Sequence, residues 1–406
     1  MRVALVHDYL KEYGGAERVL EALCEIYPDA PIYTAFYTEN SEAYKRFKGK
    51  DIRVSWAHYI PFFASKLHSP LRFLAPLIWG SFSPELSKYD VVISSASWYV
   101  TKGFGRRNTS TSLSASTKHE TRHPIEICYC HTPPRWLYGY KTSIEWQKYW
   151  PIKVYGAIVG HFMRLYDFNA AQRVDYFIAN SKEVQSRIKR FYNRDSVVIH
   201  PPVQLPISNS KFQISNKSQN TKYPSTLSSG PKGKIQNTAY YLVVARLVGG
   251  KGLDLAVKAA VKKGFNLKIV GAPAGYATEY SKLSLLASKN VEFLGFVSDD
   301  ELVQLYSGAK AFLALAGDED FGITPVEAML CGTPVIAFYG GGYLESVVEG
   351  KTGVFFKEPT VDSLLSTIEK FDTIKFSRKE IAEYAKQFSK ERFKKEIKEF
   401  INEKVH

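Results

Sequence analysis

At 406 residues and 45% hydrophobic content, the chain is long enough for two globular domains of ordinary size. Its four cysteines, Cys24, Cys128, Cys130 and Cys331, form no CxxC pair and show no metal-ligand spacing, which argues against a disulfide framework, and no run approaches the ~20 apolar residues of a membrane-spanning helix. The formal net charge of +14 sits mostly in residues 1–203, with about 27 Lys and Arg against about 18 Asp and Glu, and such an excess suits a polyanionic partner: membrane phosphate, nucleic acid or a phosphorylated substrate.

The start, MRVALVHDYL, is too short an apolar run for a signal peptide, so the expectation is a cytoplasmic protein that touches the inner face of a membrane peripherally. Arg2–Val6 reads as a buried strand. His7-Asp8-Tyr9 and the pair Gly14-Gly15 follow, and Val19, Leu20, Leu23 and Ile26 then recur at helical spacing. A strand that delivers a glycine loop to a helix start opens a doubly wound α/β unit, with the helix N-terminus facing any ligand above the sheet. The pair is not GxGxxG, and a plain tight turn explains it equally well. Ile32–Phe36, Ile52–Val54 and Val91–Ser95 read as further strands. The aromatic stretch Trp56–Phe82 interleaves Lys66, His68 and Arg72, and a core helix pair and a membrane-surface element fit it about equally; Trp146–Arg173 has the same character. Arg106–His123 is a Ser/Thr-rich loop. Ile125–Cys130 reads as a strand that ends at His131, and a histidine directly after a parallel strand sits at the carboxyl edge, where such folds bind ligands. A loop histidine without a role is the alternative. Tyr176–Ala179 and Val197–His200 close the first domain, and Gln204–Asn237, poor in apolar residues, reads as a linker or insertion.

The pattern restarts with a strand at Ala239–Ala245. Arg246, Gly249, Gly250, Lys251 and Gly252 then lead to a helix over Leu253–Lys262. Glycines let a backbone approach and two cations neutralise charge, which suits a diphosphate; a solvated basic loop is the plain alternative. Leu267–Val270 and Val291–Leu294 repeat the strand-to-glycine pattern, the second leading through Phe296 and Val297 to a helix capped at Ser298 or Asp299. Ala311–Ala316 runs into Gly317–Gly342, which holds two carboxylates, Glu319 and Glu327. Thr324, Pro325 and Glu327 have capping-box spacing, which predicts a helix over Pro325–Cys331 with Glu327 in its first turn. Backbone N–H groups of Gly322 to Val326 would then face the space between the two acids. Asp318-Glu319-Asp320 spells DxD, a metal–diphosphate pattern, but Arg246 and Lys251 already supply cations, so no metal is expected. The final residues, from Val361, read as mostly helical with a basic amphipathic end over Phe388–Val405.

Cations, glycine amides and helix starts are phosphate-binding tools, and carboxylates bind hydroxyls. Together they point to a nucleotide sugar and to glycosyl transfer, in which the departing nucleoside diphosphate needs its growing charge stabilised. The segments VHDYLKEYGGAERV, IANSKEVQSRI, VIHPPV, VARLVGGKGLDLAVKA, FLGFVSDDELVQLYSGA and EDFGITPVEAMLCGTPVIA resemble glycosyltransferase family 4, retaining enzymes of GT-B type fold. YCHTPPRWLYGY is similar to the bacterial mannosyltransferases that use GDP-mannose in O-antigen or exopolysaccharide assembly. The resemblance implies an α/β fold of two Rossmann-like domains facing across a cleft. Residues 1–203 would form the acceptor side, 204–238 a linker, 239–385 the nucleotide-sugar domain, and 386–406 a helix returning to the first domain. It implies that Glu327 binds ribose and that Glu319, with the backbone of Phe321, Gly322, Ile323 and Thr324, binds the donor sugar. Arg246 and Lys251 would hold the diphosphate, approached by Gly14 and Gly15. His131 would stand by the reacting centre, and Phe296 and Val297 would complete the donor-binding set. No cofactor, metal or protein nucleophile is implied. The expected partners are a nucleotide-sugar donor, a saccharide acceptor linked to polyprenyl diphosphate, and an anionic membrane surface, with no nucleic acid. A UDP-sugar enzyme of the same family and a non-catalytic nucleotide-sugar-binding protein of glycan assembly are the alternatives.

Overall fold

The computed structural model describes residues 1–105, 123–140, 150–205, 239–271 and 278–405, so all but the last residue of the expected loop at 106–123, residues 206–238 of the expected linker at 204–238, and residues 146–149 of the aromatic stretch lie outside the described residues. The chain forms two units, Met1–Pro202 with Phe388–His406, and Val203–Gln387.

The first unit is built on β1 (Val3–His7), β2 (Ile32–Thr34), β3 (Ile52–Val54), β4 (Val91–Ala96), β5 (Ile125–Cys130), β6 (Tyr176–Ala179) and β7 (Ser196–Val198). They lie in the order β3-β2-β1-β4-β5-β6-β7, and every pairing is parallel. Its helices are α1 (Gly15–Ile26), α2 (Glu42–Phe47), α3 (Ala75–Gly80), α4 (Ser83–Leu86), α5 (Trp150–Arg173) and α6 (Lys182–Tyr192). Parallel sheets are covered on both faces, which is why β1 reads VALVH and is buried at every position. The order reverses between β1 and β4, the point above which such sheets hold ligands.

The stretch Trp56–Phe82 is not a helix pair. It runs as short turns at Trp56–Tyr59, Phe63–Leu67 and Arg72–Leu74 before α3. Pro61 and Pro70 interrupt any longer helix, and Pro76 is tolerated only because it lies in the first turn of α3. Ala57, Phe63, Ile78 and Trp79 point into the core beside Met163 and Ala170 of α5, whereas Tyr59, Phe62 and Leu77 are exposed.

The second unit has β8 (Tyr240–Val244), β9 (Asn266–Val270), β10 (Val291–Gly295), β11 (Ala311–Ala314), β12 (Val335–Phe338) and β13 (Gly353–Phe356), in the parallel order β10-β9-β8-β11-β12-β13. Its helices are α7 (Leu253–Lys263), α8 (Thr278–Leu286), α9 (Asp299–Gly308), α10 (Ile323–Leu330), α11 (Tyr343–Ser346), α12 (Val361–Asp372) and α13 (Arg378–Ala385). The pattern is the doubly wound one again, with its reversal between β8 and β11. α9 is capped at Ser298, one of the two expected positions, and the cap is a capping box, Ser298 accepting from the Glu301 N–H and Glu301 from that of Ser298.

The last helix, α14 (Lys390–Val405), belongs to the first unit. Phe393, Ile397, Phe400 and Ile401 enter the core that holds Val19, Leu20 and Leu23 of α1. Lys394 reaches Glu25 at 2.9 Å, and Arg392 donates to the His200 carbonyl at 2.9 Å. No helix among the described residues is long and apolar enough to cross a membrane.

Candidate functional site

β8 and β11 are neighbours in the second sheet, so the loops that leave their carboxyl ends must meet. The first loop carries Arg246 and Lys251, the second Glu319. Lys251 Nζ lies 2.7 Å from Glu319 Oε2. Gly252 permits this approach: its φ is 69°, and a Cβ there would come within 2.7 Å of the Leu315 carbonyl oxygen. Arg246 stands exposed on the same loop. Phe296, 84% exposed, leaves the end of β10 with Val297 beside it, at the outer edge of the sheet. The site residues of this unit therefore share one carboxyl edge, with Lys251 and Glu319 in direct contact and Phe296 two strands away from β8.

The segment 319–323 is held in an unusual bend. Gly342 donates its N–H to the Glu319 carbonyl at 2.9 Å, and a Cβ on Gly342 would sit 2.3 Å from Phe321 Cα. The glycine run 340–342 is thus a backbone cradle for the loop that carries Glu319. Gly322 turns into α10 at φ 85° and is its N-cap. This corrects the expected capping box. The left-handed glycine starts the helix at Ile323, two residues early, so Thr324 and Pro325 lie inside the first turn and no side chain caps it. The N–H groups at this start come from Gly322, Ile323 and Thr324, because Pro325 has none.

Glu327 consequently lies in the second turn, not the first. It is 1% exposed and accepts a hydrogen bond from Tyr306 Oη at 2.8 Å. Tyr306, on α9, is itself fully buried, and its carbonyl accepts from Thr333 Oγ1. Glu327 is thus a buried acid held by a buried phenol, not an exposed helix cap. The role of Tyr306 was not legible in the sequence, since nothing local marks a tyrosine on α9 as the partner of an acid on α10.

In the first unit, His131 follows β5 and its own N–H donates to the Ala96 carbonyl at 2.9 Å. Its Nε2 lies 2.8 Å from Ser95 Oγ, which lies 3.0 Å from His7 Nδ1. His7 Nε2 is 3.3 Å from Glu17 Oε1, and Glu17 Oε2 accepts the Gly14 N–H at 2.8 Å. Gly14 is the N-cap of α1, and Gly15 its first residue. Burial holds the His131 imidazole down to about 3, so the ring is neutral over the physiological range. Sequence reasoning reached His131 and the glycine pair by their places after strands. It did not find Ser95, Glu17 or the link through His7.

Among the described residues, no group of three or more His, Cys, Asp or Glu side chains is arranged to hold a metal ion. In the DxD segment, Glu319 faces Lys251.

Residues 227–388 match the family model of glycosyl transferases group 1. The D-inositol 3-phosphate glycosyltransferase of Acidothermus cellulolyticus is 35% identical over 128 residues, 28% of this chain and 29% of its own length. The alpha-1,3/1,6-mannosyltransferase ALG2 of Dictyostelium discoideum is 31% identical over 165 residues, 41% of this chain and 35% of its own. The chain thus aligns with less than half the length of these curated relatives. In fold, it is similar over 99% of its length to the whole of Anabaena HepE, solved in complex with UDP and glucose, at 19% identity and a TM-score of 0.69. The segment 227–388 thus resembles the glycosyl transferases group 1, and the whole chain, with its two parallel Rossmann-like sheets, shares the fold of HepE.

Proposed function

We propose that the protein is a retaining glycosyltransferase that moves a hexose, mannose from GDP-mannose, to a lipid-linked saccharide acceptor in cell-surface polysaccharide synthesis. One observation carries this reading: a cation and a carboxylate, Lys251 and Glu319, stand 2.7 Å apart at the reversal point of the second sheet. A diphosphate needs the first and a sugar hydroxyl the second. In this reading Lys251 and Arg246 neutralise the charge that grows as the bond between the anomeric carbon and the diphosphate oxygen breaks. The acceptor oxygen forms its new bond on the same face, and its proton passes to the leaving phosphate oxygen, so no protein nucleophile and no metal take part. Glu319 and the N–H groups at the start of α10 hold the sugar, Glu327 the ribose, and Phe296 and Val297 flank the nucleoside. Gly14 and Gly15 are assigned to the diphosphate and His131 to the reacting centre. The mannosyltransferase named among the relatives supports mannose as the sugar. Thermal-shift titration with GDP-mannose, UDP-glucose, UDP-GlcNAc and the free nucleotides tests the reading. A selective rise with GDP-mannose and GDP is expected. No rise with any of them refutes a nucleotide-sugar site.

We assign the acceptor end to an anionic membrane surface. α5 turns Trp150, Val154, Ile158, Phe162, Leu165 and Phe168 outward. Its one acidic residue, Asp167, is buried on Lys102, and Trp56–Phe82 contains none. An apolar, aromatic stripe with basic flanks such as Lys153 and Lys66 suits the headgroup level of an acidic bilayer. Flotation with phosphatidylglycerol vesicles at low salt should carry the protein upward, and Phe162→Ser with Leu165→Ser should leave it at the bottom. Equal flotation of both proteins refutes this face as the contact.

A further inference from the structure

We infer that Glu17, His7 and Ser95 form a positioning relay that fixes which ring nitrogen His131 offers to the donor sugar. The inference rests on the assignment of His131 to the reacting centre. The relay crosses the reversal point of the first sheet. His7 ends β1 and pairs in register with Ser95 on β4, and His131 is the residue after β5, the next strand. Glu17 lies in the first turn of α1. All four side chains are buried.

The direction of the hydrogen bonds follows from what each group can do. The Glu17 carboxylate only accepts, so His7 Nε2 donates to it across 3.3 Å. With a single proton on His7, carried by Nε2, its Nδ1 is bare, and the Ser95 hydroxyl donates its proton there across 3.0 Å. Ser95 has no second proton, so its oxygen accepts from His131 Nε2 across 2.8 Å. The single proton of the neutral His131 ring is therefore on Nε2, and Nδ1 keeps the lone pair. His131 is set as an acceptor, and a sugar hydroxyl would donate to it. The His131 backbone is held as well, its carbonyl accepting from Asn180 Nδ2 at 2.9 Å. The reverse orientation of the chain would turn Nδ1 into a donor. One carboxylate controls the choice, because its second oxygen is already committed to the Gly14 N–H at 2.8 Å. That commitment makes Glu17→Gln a directed test. The amide oxygen must stay on Gly14, so the amide NH2 faces His7 Nε2 and donates to it. His7 Nδ1–H then donates to Ser95, Ser95 to His131 Nε2, and the His131 proton moves to Nδ1.

Long-range 1H–15N spectra of the full-length, 15N-histidine-labelled protein read this directly and need no donor. The wild type is expected to show His131 with the proton on Nε2, and Glu17→Gln with it on Nδ1. Ser95→Ala, which cuts the chain with little change in volume, should give a mixture of the two tautomers. In turnover with the nucleotide sugar that proves active, Glu17→Gln is expected to lower kcat about tenfold or more, with melting behaviour near wild type. A wild-type proton on Nδ1, or a His131 proton that Glu17→Gln and Ser95→Ala both leave in place, overturns the relay. Absence of all nucleotide-sugar turnover in the wild type overturns the functional reading instead, and the tautomer result separates the two failures.

Discussion

Glu319→Gln should tighten the binding of a nucleoside diphosphate while it cripples transfer. Lys251 and Glu319 are 2.7 Å apart, with side chains 32% and 18% exposed. Two unit charges about 4 Å apart attract by about 4 kcal/mol at an effective dielectric near 20. Partial exposure screens this pair, and about 0.5–1.5 kcal/mol is a fair share to assign to it. A free diphosphate must compete with Glu319 for Lys251 and has no sugar for Glu319 to hold. Removal of the negative charge therefore frees the ammonium, and GDP or UDP should bind about 2- to 10-fold tighter. A nucleotide sugar loses charge-assisted hydrogen bonds from its hydroxyls, each about 1.5–3 kcal/mol, so kcat/KM should fall about 10- to 100-fold. Isothermal titration with each nucleotide at low and physiological salt, beside initial rates, measures both halves. Equal or weaker nucleotide binding by Glu319→Gln would show that Lys251 is not the phosphate ligand.

Four other outcomes follow. Tyr306→Phe strips the phenol from a buried carboxylate, which costs about 1–3 kcal/mol; calorimetry should show Tm lower by about 2–10 °C and nucleotide affinity reduced, and an unchanged Tm would mean that Glu327 finds another donor. Lys102→Met leaves Asp167 charged and buried, a loss of about 3–5 kcal/mol in urea unfolding, and Lys102→Met with Asp167→Leu should recover most of it. The depressed His131 contributes stability that is present above the ordinary value near 6.5 and is lost as pH falls from there toward about 3; His131→Gln should flatten that loss, and parallel pH profiles of the two proteins would contradict it. Turnover should survive EDTA, and a loss restored only by a divalent cation would overturn the metal-free step.

The two parallel sheets were legible because their strands are buried on both faces, so runs such as VALVH and AFLA stand out without any partner in view. β13 was missed: GVFF lies between turns and opens on a glycine, and Gly353 is there because a Cβ would lie 2.1 Å from the Val335 carbonyl oxygen. The start of α10 was misjudged because Thr324-Pro325 is a good start by composition, while the left-handed Gly322 that actually begins the helix carries no such signal. Contacts across the sheet were beyond reach. His7 and Ser95 are 88 residues apart, and Ser95 and His131 are 36 apart, so only the strand order brings the three together.

The placement of α14 has a consequence for how the protein is made. Lys390 meets Glu25 across a sequence separation of 365 residues, and four apolar side chains of α14 complete the core begun by α1. On the ribosome, α1 therefore emerges long before its cover exists, and its apolar side must wait through synthesis of the whole second unit. The entropic cost of so long a closure grows only logarithmically, so the finished protein bears little of it. The nascent chain bears the exposure. Chaperone dependence during synthesis, with little need for help once the last turn of α14 has cleared the exit tunnel, is the behaviour this connectivity favours.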